Sequence, residues 1–326
     1  MNISIIVPVY KVEHFVERCI TTIINQTYTV DVECIIVDDC SPDNSMEVVE
    51  KIIAHYNGPI QFQLLSHEYN RGLAAVRNTG MRAATGDYII HIDSDDYCEL
   101  NMLESMYLKA LEENADIVIA DYFIDHVNDN IEYVEQKCDV DNVSNIKKLL
   151  NGELGGYMWN KLIKREIIQE KHIHTVEGVD YGEDFLFSIS LFFFAKKVVS
   201  IHQAFVHYCQ YNPNSYCKNR TLKSFNDSIN SSLLIESRIK EYGLIDLCYK
   251  ELYSKILSTK ISLLVFNEGC LRRKCNASLC IKRKYILSAM YVNVFWKICL
   301  LLASYNILWI YTPIKSILNM RNKILT

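Results

Sequence analysis

Continuous apolar runs and helically spaced apolar positions alternate over the first 125 residues. Residues 3–9, apolar but for Ser4, read as a strand, after which Phe15, Val16, Cys19, Ile20, Ile23 and Ile24 fall on one helix face. A second run at 34–37 ends on Asp38-Asp39, and Met46, Val48, Val49, Ile52 and Ile53 describe the next helix. Residues 62–65 predict a third strand, 72–84 an Ala-rich helix, and 88–92 a further strand; 101–113 is helical and 116–120 returns to strand. Such regular alternation implies βαβ units with right-handed crossovers, hence an α/β fold with a mainly parallel sheet flanked by helices. Beyond Tyr122 the pattern blurs. Residues 128–145 read as a polar loop, 185–195 as a buried apolar helix, and Leu222, Phe225, Ile229, Leu233 and Ile239 open a C-terminal helical tail.

Composition narrows the class. The 326 residues are 50% hydrophobic and 22% charged, enough for a full core, and the formal net charge of −5 offers no global attraction to nucleic acid. Met1-Asn2 leads straight into the first strand with no secretory leader, which predicts a cytoplasmic catalytic part. The twelve cysteines contain no C-x-x-C pair, and the even spacing of Cys270, Cys275 and Cys280 matches no common zinc framework; they read as free apolar thiols.

Chemistry concentrates in Asp93-Ser94-Asp95-Asp96, directly after the apolar run 88–92. Ligands of open α/β sheets bind outside the carboxyl ends of the strands. Three acids there repel one another, and a divalent cation carrying substrate phosphates would hold them; the alternative is a solvated acidic turn. Three more segments fall at corresponding places: Val7-Pro8-Val9-Tyr10, Asp38-Asp39-Cys40-Ser41, and the helix-opening Asn70-Arg71-Gly72 through Ala74, Arg77, Asn78 and Gly80.

These four segments, in this order, resemble the nucleotide-sugar-binding half of the family 2 glycosyltransferases, strongly over 1–125 and more weakly over 155–215. The resemblance implies the GT-A fold, with a catalytic domain at 1–217 (a nucleotide-sugar half to 125, an acceptor half from 126) and a helical region at 218–326. It implies that Asp39 accepts a hydrogen bond from the nucleobase of a UDP-type donor and that Pro8 and Tyr10 line the base pocket. Arg77 would lie near the phosphates or serve as a partner for the acids, Asp93 and Ser94 would face the donor, and Asp95 with Asp93 would ligate Mg²⁺ or Mn²⁺. Cys40 stands where the family commonly has Gly, so the turn after Asp39 lacks its most permissive residue. In the second half, Gly182-Glu183-Asp184 matches the family's acidic pair, with Asp184 as the catalytic base of an inverting transfer and Glu183 beside it on the acceptor side. Negative charge favoured at a helix N-terminus is the plainer reading of both acids. Trp159, in Trp159-Asn160-Lys161, would stack on an acceptor sugar or pack in the core. His207 is the position for a late metal ligand or a plain structural histidine.

The tail adds Arg272-Arg273-Lys274 and Lys282-Arg283-Lys284 before an apolar stretch at 291–310 that Lys297 interrupts. A spanning helix wants about twenty nearly uninterrupted apolar residues. Basic residues beside an aromatic amphipathic helix fit peripheral attachment to an anionic inner leaflet, and packing on the catalytic domain or on a second copy in a homo-oligomer is the alternative. The acceptor implied is a glycan or a lipid-linked glycan in surface-polysaccharide synthesis. Competing functions are a non-catalytic sugar-nucleotide-binding or assembly protein and a sugar-phosphate nucleotidylyltransferase; the latter expects a Gly-rich loop after the first strand, which Val9-Tyr10-Lys11-Val12-Glu13 lacks. No G-x-G-x-x-G occurs to support a nicotinamide dehydrogenase.

Overall fold

A computed structural model describes residues 1–127, 130–212 and 221–315. The boundary expected at 217–218 lies outside the described residues. The chain divides into two compact units, Met1–Asn145 with Leu154–Arg220, and Ile146–Glu153 with Thr221–Thr326.

The first unit carries β1 (Ile3–Val9), α1 (Val16–Ile24), β2 (Val32–Asp38), α2 (Ser45–Ala54), β3 (Gln61–Ser66), α3 (Leu73–Ala83), β4 (Tyr88–His91), β5 (Tyr97–Cys98), α4 (Met102–Glu113), β6 (Ile117–Asp125) and β7 (Ile131–Val134). After α5 (Asn142–Asn151), whose later residues belong to the second unit, it continues with β8 (Lys161–Lys164), α6 (Arg165–Glu170), α7 (Glu183–Phe194) and β9 (Val198–Cys209). One sheet has the order β3-β2-β1-β4-β8-β6-β9-β5, with β7 pairing β6. Strands β3, β2, β1 and β4 run parallel, as do β6 and β9. Antiparallel pairs join β4 to β8, β8 to β6, β7 to β6 and β5 to β9. The sheet is therefore mixed and mostly parallel.

The polar stretch expected as a loop contains β7, which pairs with β6 as an exposed edge, and the start of α5. Strand β8 is short and begins at Lys161, so apolar periodicity does not announce it. Strand β9 carries exposed His202 and Gln203 in mid-strand, which breaks the alternation a half-buried strand would display.

Chain order places the site. The chain leaves β1 toward β2 and β3, then returns to β1's other side as β4, so strand order reverses between β1 and β4. Such a switch point opens a crevice at the carboxyl ends. The β1–β4 register covers Ile3–Ile6, and the Ile92 amide still donates to Ile6 O at 3.0 Å. Pro8 comes two residues later, where pairing with β4 has ended and no N–H is required; it keeps its β2 neighbour Val37. Gly80 explains the last glycine of the α3 segment. A Cβ there would meet Ile6 Cγ2 at 2.4 Å, so a bare backbone lets α3 lie close on β1.

The second unit is helical: α8 (Leu222–Glu241), α9 (Ile245–Phe266), α10 (Gly269–Ser278), α11 (Arg283–Ser288) and α12 (Val294–Ser304). A capping box starts α8, with the Ser224 amide donating to Thr221 Oγ1 and Ser224 Oγ accepting from the Thr221 amide. Tyr253 of α9 stacks on Tyr285 of α11 at 3.9 Å, and buried Lys260 donates to Leu279 O. Among the described residues no helix is long and apolar enough to cross a membrane, and the eleven cysteines there are free.

Replacing Gly80 by Ala should destabilise the protein by about 1–3 kcal/mol through overpacking. Urea unfolding of the variant checks this, and an unchanged midpoint would mean that α3 moves off β1 freely.

Candidate functional site

The acids after β4 are held by the protein itself. Arg77 of α3 is 2% exposed; its Nη2 donates to Asp93 Oδ1 at 2.9 Å and Oδ2 at 3.3 Å, and its Nη1 donates to Glu183 Oε1. One guanidinium thus joins the turn after β4 to the first residue of α7. Asn212 Nδ2 donates to Asp95 Oδ2 at 2.8 Å, and the Cys209 amide donates to Asp96 Oδ1 at 2.8 Å. Burial, with Asp95 and Asp93 adding, pushes the Asp96 carboxyl well above the carboxylate range, and burial followed by Asp93 pushes Asp95 up. The acids expected to share a cation also meet partners within the protein: an arginine, a side-chain amide and a backbone N–H. Ser94 is buried between Asp93 and Asp95.

Arg77 also tunes α7. Glu183 is 4% exposed, and burial together with Asp184 pushes its carboxyl up to about 8 while Arg77 pulls the other way. Asp184 is half-buried and accepts from the Phe185 amide at 2.7 Å. Its carboxyl is also raised by burial, with Arg77 opposing. Gly182 precedes the pair at φ 86°, a left-handed conformation that a side chain would resist.

Asp39 lies at the expected place but is already engaged. It is 2% exposed; Oδ1 lies 2.7 Å from His67 Nδ1 and accepts from the Arg71 amide, and Oδ2 accepts from the Gly72 amide. The opening of α3 is likewise filled, because the Ala74 amide donates to Asp180 Oδ1. A helix start that could hold phosphate thus holds two carboxylates. Cys40 adopts φ 56°, the strained turn that glycine would take at no steric cost. Pro8 is buried at the end of β1, and Tyr10 stands 40% exposed beside it.

Two expected contacts fall elsewhere. Trp159 is 3% exposed and packs with Tyr157 and Tyr208, both stacked on it at 15°, and edge-on with Tyr122. It packs as a core residue. His207 Nδ1 lies 3.0 Å from Asp125 Oδ1 and Nε2 3.0 Å from Glu99 Oε1, with Tyr97 and Phe123 stacked on the ring. Each ring nitrogen thus has a carboxylate partner. Among the described residues no group of three or more His, Cys, Asp or Glu converges as a metal cage. The hard oxygens of Asp95 fit Mg²⁺ or Mn²⁺ only as an ion that takes most of its ligands from water and a diphosphate, as Mg²⁺ commonly does.

Sequence reasoning missed His67, Asp180 and Asn212, whose roles depend on contacts 28 to 117 residues away. It also missed buried Lys161, whose ammonium donates to Gly155 O, Tyr157 O and Asn160 Oδ1 while burial pulls it down to about 7. A cavity of about 530 Å³ lies away from these residues, at the amino-terminal end of β6, lined by mutually paired charges such as Lys197 with Glu113.

Arg77→Met should cost about 3–5 kcal/mol by stranding buried Glu183 and half-buried Asp93, and adding Glu183→Gln should recover part of that loss in a double-mutant cycle read by urea unfolding. Strict additivity would dissolve the bridge. Glu183, with its folded pKa raised to about 8, binds a proton that the unfolded chain releases near 4.5. Its contribution to stability is full below that lower value and lost as pH rises through the upper one. Stability of Glu183→Gln should therefore fall less between pH 5 and pH 8 than that of the wild type; parallel curves would refute the raised value.

The family model for glycosyl transferase family 2 matches residues 4–170. A Bacillus subtilis relative, the uncharacterised glycosyltransferase EpsJ, is 29% identical over 273 residues, covering 81% of this chain and 77% of its own. The crystal structure of S. aureus TarS 1–349 in complex with UDP-GlcNAc superposes with a TM-score of 0.73 at 19% identity, covering 95% of this chain and 89% of that one. The mannosyltransferase PcManGT from Pyrobaculum calidifontis, in complex with GDP-Man and Mn²⁺, gives a TM-score of 0.51 at 15% identity over 94% and 87% of the two chains. A matched sheet, a matched amino-terminal half and two acidic motifs tied by one arginine lead to one assignment: this chain belongs to glycosyl transferase family 2 and is a glycosyltransferase of the GT-A fold.

Proposed function

We propose that the chain transfers a sugar, with inversion, from a UDP-sugar to a hydroxyl of a glycan or lipid-linked acceptor in bacterial surface-polysaccharide synthesis, at the inner face of the cytoplasmic membrane. The observation that carries the reading is the Arg77 bridge, which brings the Asp93 turn and the Glu183-Asp184 pair to one place. The donor preference leans on the UDP-GlcNAc complex of TarS. Tyr10, at the open end of the switch-point crevice beside Pro8, is suited to line the base pocket. Asp39 would shape that pocket from within by fastening the 67–72 loop, keeping one free lone pair for the base.

Asp184 is the proposed base. It takes the proton from the acceptor hydroxyl as that oxygen attacks the anomeric carbon, and the bond to the nucleoside diphosphate breaks on the opposite face. A carboxylate raised by burial is the stronger base for that purpose. Glu183, kept against Arg77, holds α7 so that Asp184 faces the crevice. Asp95 would hold Mg²⁺ or Mn²⁺; such an ion neutralises charge on the departing diphosphate. The Mn²⁺ in the PcManGT complex supports that choice of ion.

Release of UDP from a panel of UDP-sugars, with and without Mn²⁺ and acceptor, tests this. Asp184→Asn should lower kcat by about 10²–10⁴ and leave UDP affinity unchanged. Undiminished turnover in that variant would remove Asp184 from the reaction, and binding without turnover of any donor would favour a sugar-nucleotide sensor.

A further inference from the structure

The acidic and basic residues are distributed unevenly along the chain. Of 34 Lys and Arg residues, ten lie after Glu268; of 39 Asp and Glu residues, none does. Residues 269–326 of this overall acidic chain are therefore purely cationic. Within the second unit this segment also displays apolar side chains. Leu287, Val294, Phe295, Ile298, Tyr305 and Trp309 are each more than half exposed. On α12 the exposed Val294 and Ile298, half-buried Leu301 and Leu302, and Tyr305 just beyond the helix follow one another at helical spacing, while Cys299, Leu300 and Ala303 face inward.

The basic residues border this face. Arg283 stacks its guanidinium on Tyr305 at 4.0 Å, and its Nε donates to Ser304 Oγ at 3.3 Å. Lys282 and Lys284 flank it, both exposed, and exposed Arg273 and Lys274 lie on α10, whose Asn276 donates to Ala303 O at the end of α12. Lys297, the one charge within α12, turns back to donate to Leu287 O at 2.9 Å, so it does not interrupt the outward apolar face.

We infer that this face of α11 and α12 seats on an anionic lipid surface, with Val294, Phe295 and Ile298 entering the headgroup region and Arg273, Lys274 and Lys282–Lys284 meeting its negative charge. Charge decides between occupants. A second copy laid on the same face would bring two acid-free, cationic segments together, whereas an anionic leaflet attracts each Lys or Arg by about 1 kcal/mol near its surface. Single amphipathic helices bind in this manner through buried apolar area plus headgroup attraction. The inference rests on the proposed function and deepens it by assigning the face and the side chains that would meet that membrane, and it is read without any turnover.

Sedimentation of the full chain with phosphatidylcholine vesicles, with and without phosphatidylglycerol, tests it. Binding should require phosphatidylglycerol and weaken in high salt. Phe295→Glu with Ile298→Glu, and separately Arg283→Glu with Lys284→Glu, should each lower it at least tenfold while circular dichroism and UDP affinity stay as in the wild type. Equal binding to neutral vesicles would overturn the anionic assignment. Failure to bind either vesicle, with a wild-type dimer that the Phe295→Glu/Ile298→Glu variant splits, would give the face to a second copy instead.

Discussion

The site depends on one buried cation. Without Arg77, Asp93 and Glu183 would be two nearby carboxylates at the rim of a dry sheet, each costly to ionise. With it, three elements distant in sequence meet: α3 supplies the guanidinium, the turn after β4 one acid and the start of α7 the other. The same contact explains why Arg77 is almost wholly buried.

Around that bridge the protein uses small, directional partners. Asp96 takes a backbone N–H, Asp95 an asparagine amide, and Asp39 two backbone N–H groups and a histidine. The acids are positioned before any ligand arrives, which is what preorganised electrostatics requires.

Much of the amino-terminal half was legible because its signals are local. An apolar run followed by acids marks β2 and β4. The rest rested on contacts that no local pattern encodes. Trp159 looked equally suited to a sugar or to the core, and only the tyrosines gathered around it decide for the core. His207 looked available, and only the fold brings Asp125 and Glu99 to its two nitrogens. Strand β9 hid because its exposed mid-section breaks the alternation that reveals β6. Lys161 hid for the opposite reason: lysine at a strand start reads as solvated, yet three oxygens enclose it.

Helix α5 bears on how the gene could be divided. Its last residues, from Ile146, and the two that follow are grouped with Thr221–Thr326, although Leu154 resumes the first unit. A fragment stopping at Arg220 would keep this stretch, with Ile146, Leu149 and Leu150, which are buried in the intact chain, and discard the rest of the unit to which it belongs. Such a cut would part this buried stretch from the residues with which it is grouped. The two units are interleaved in the polypeptide, so neither can be excised as a single uninterrupted piece.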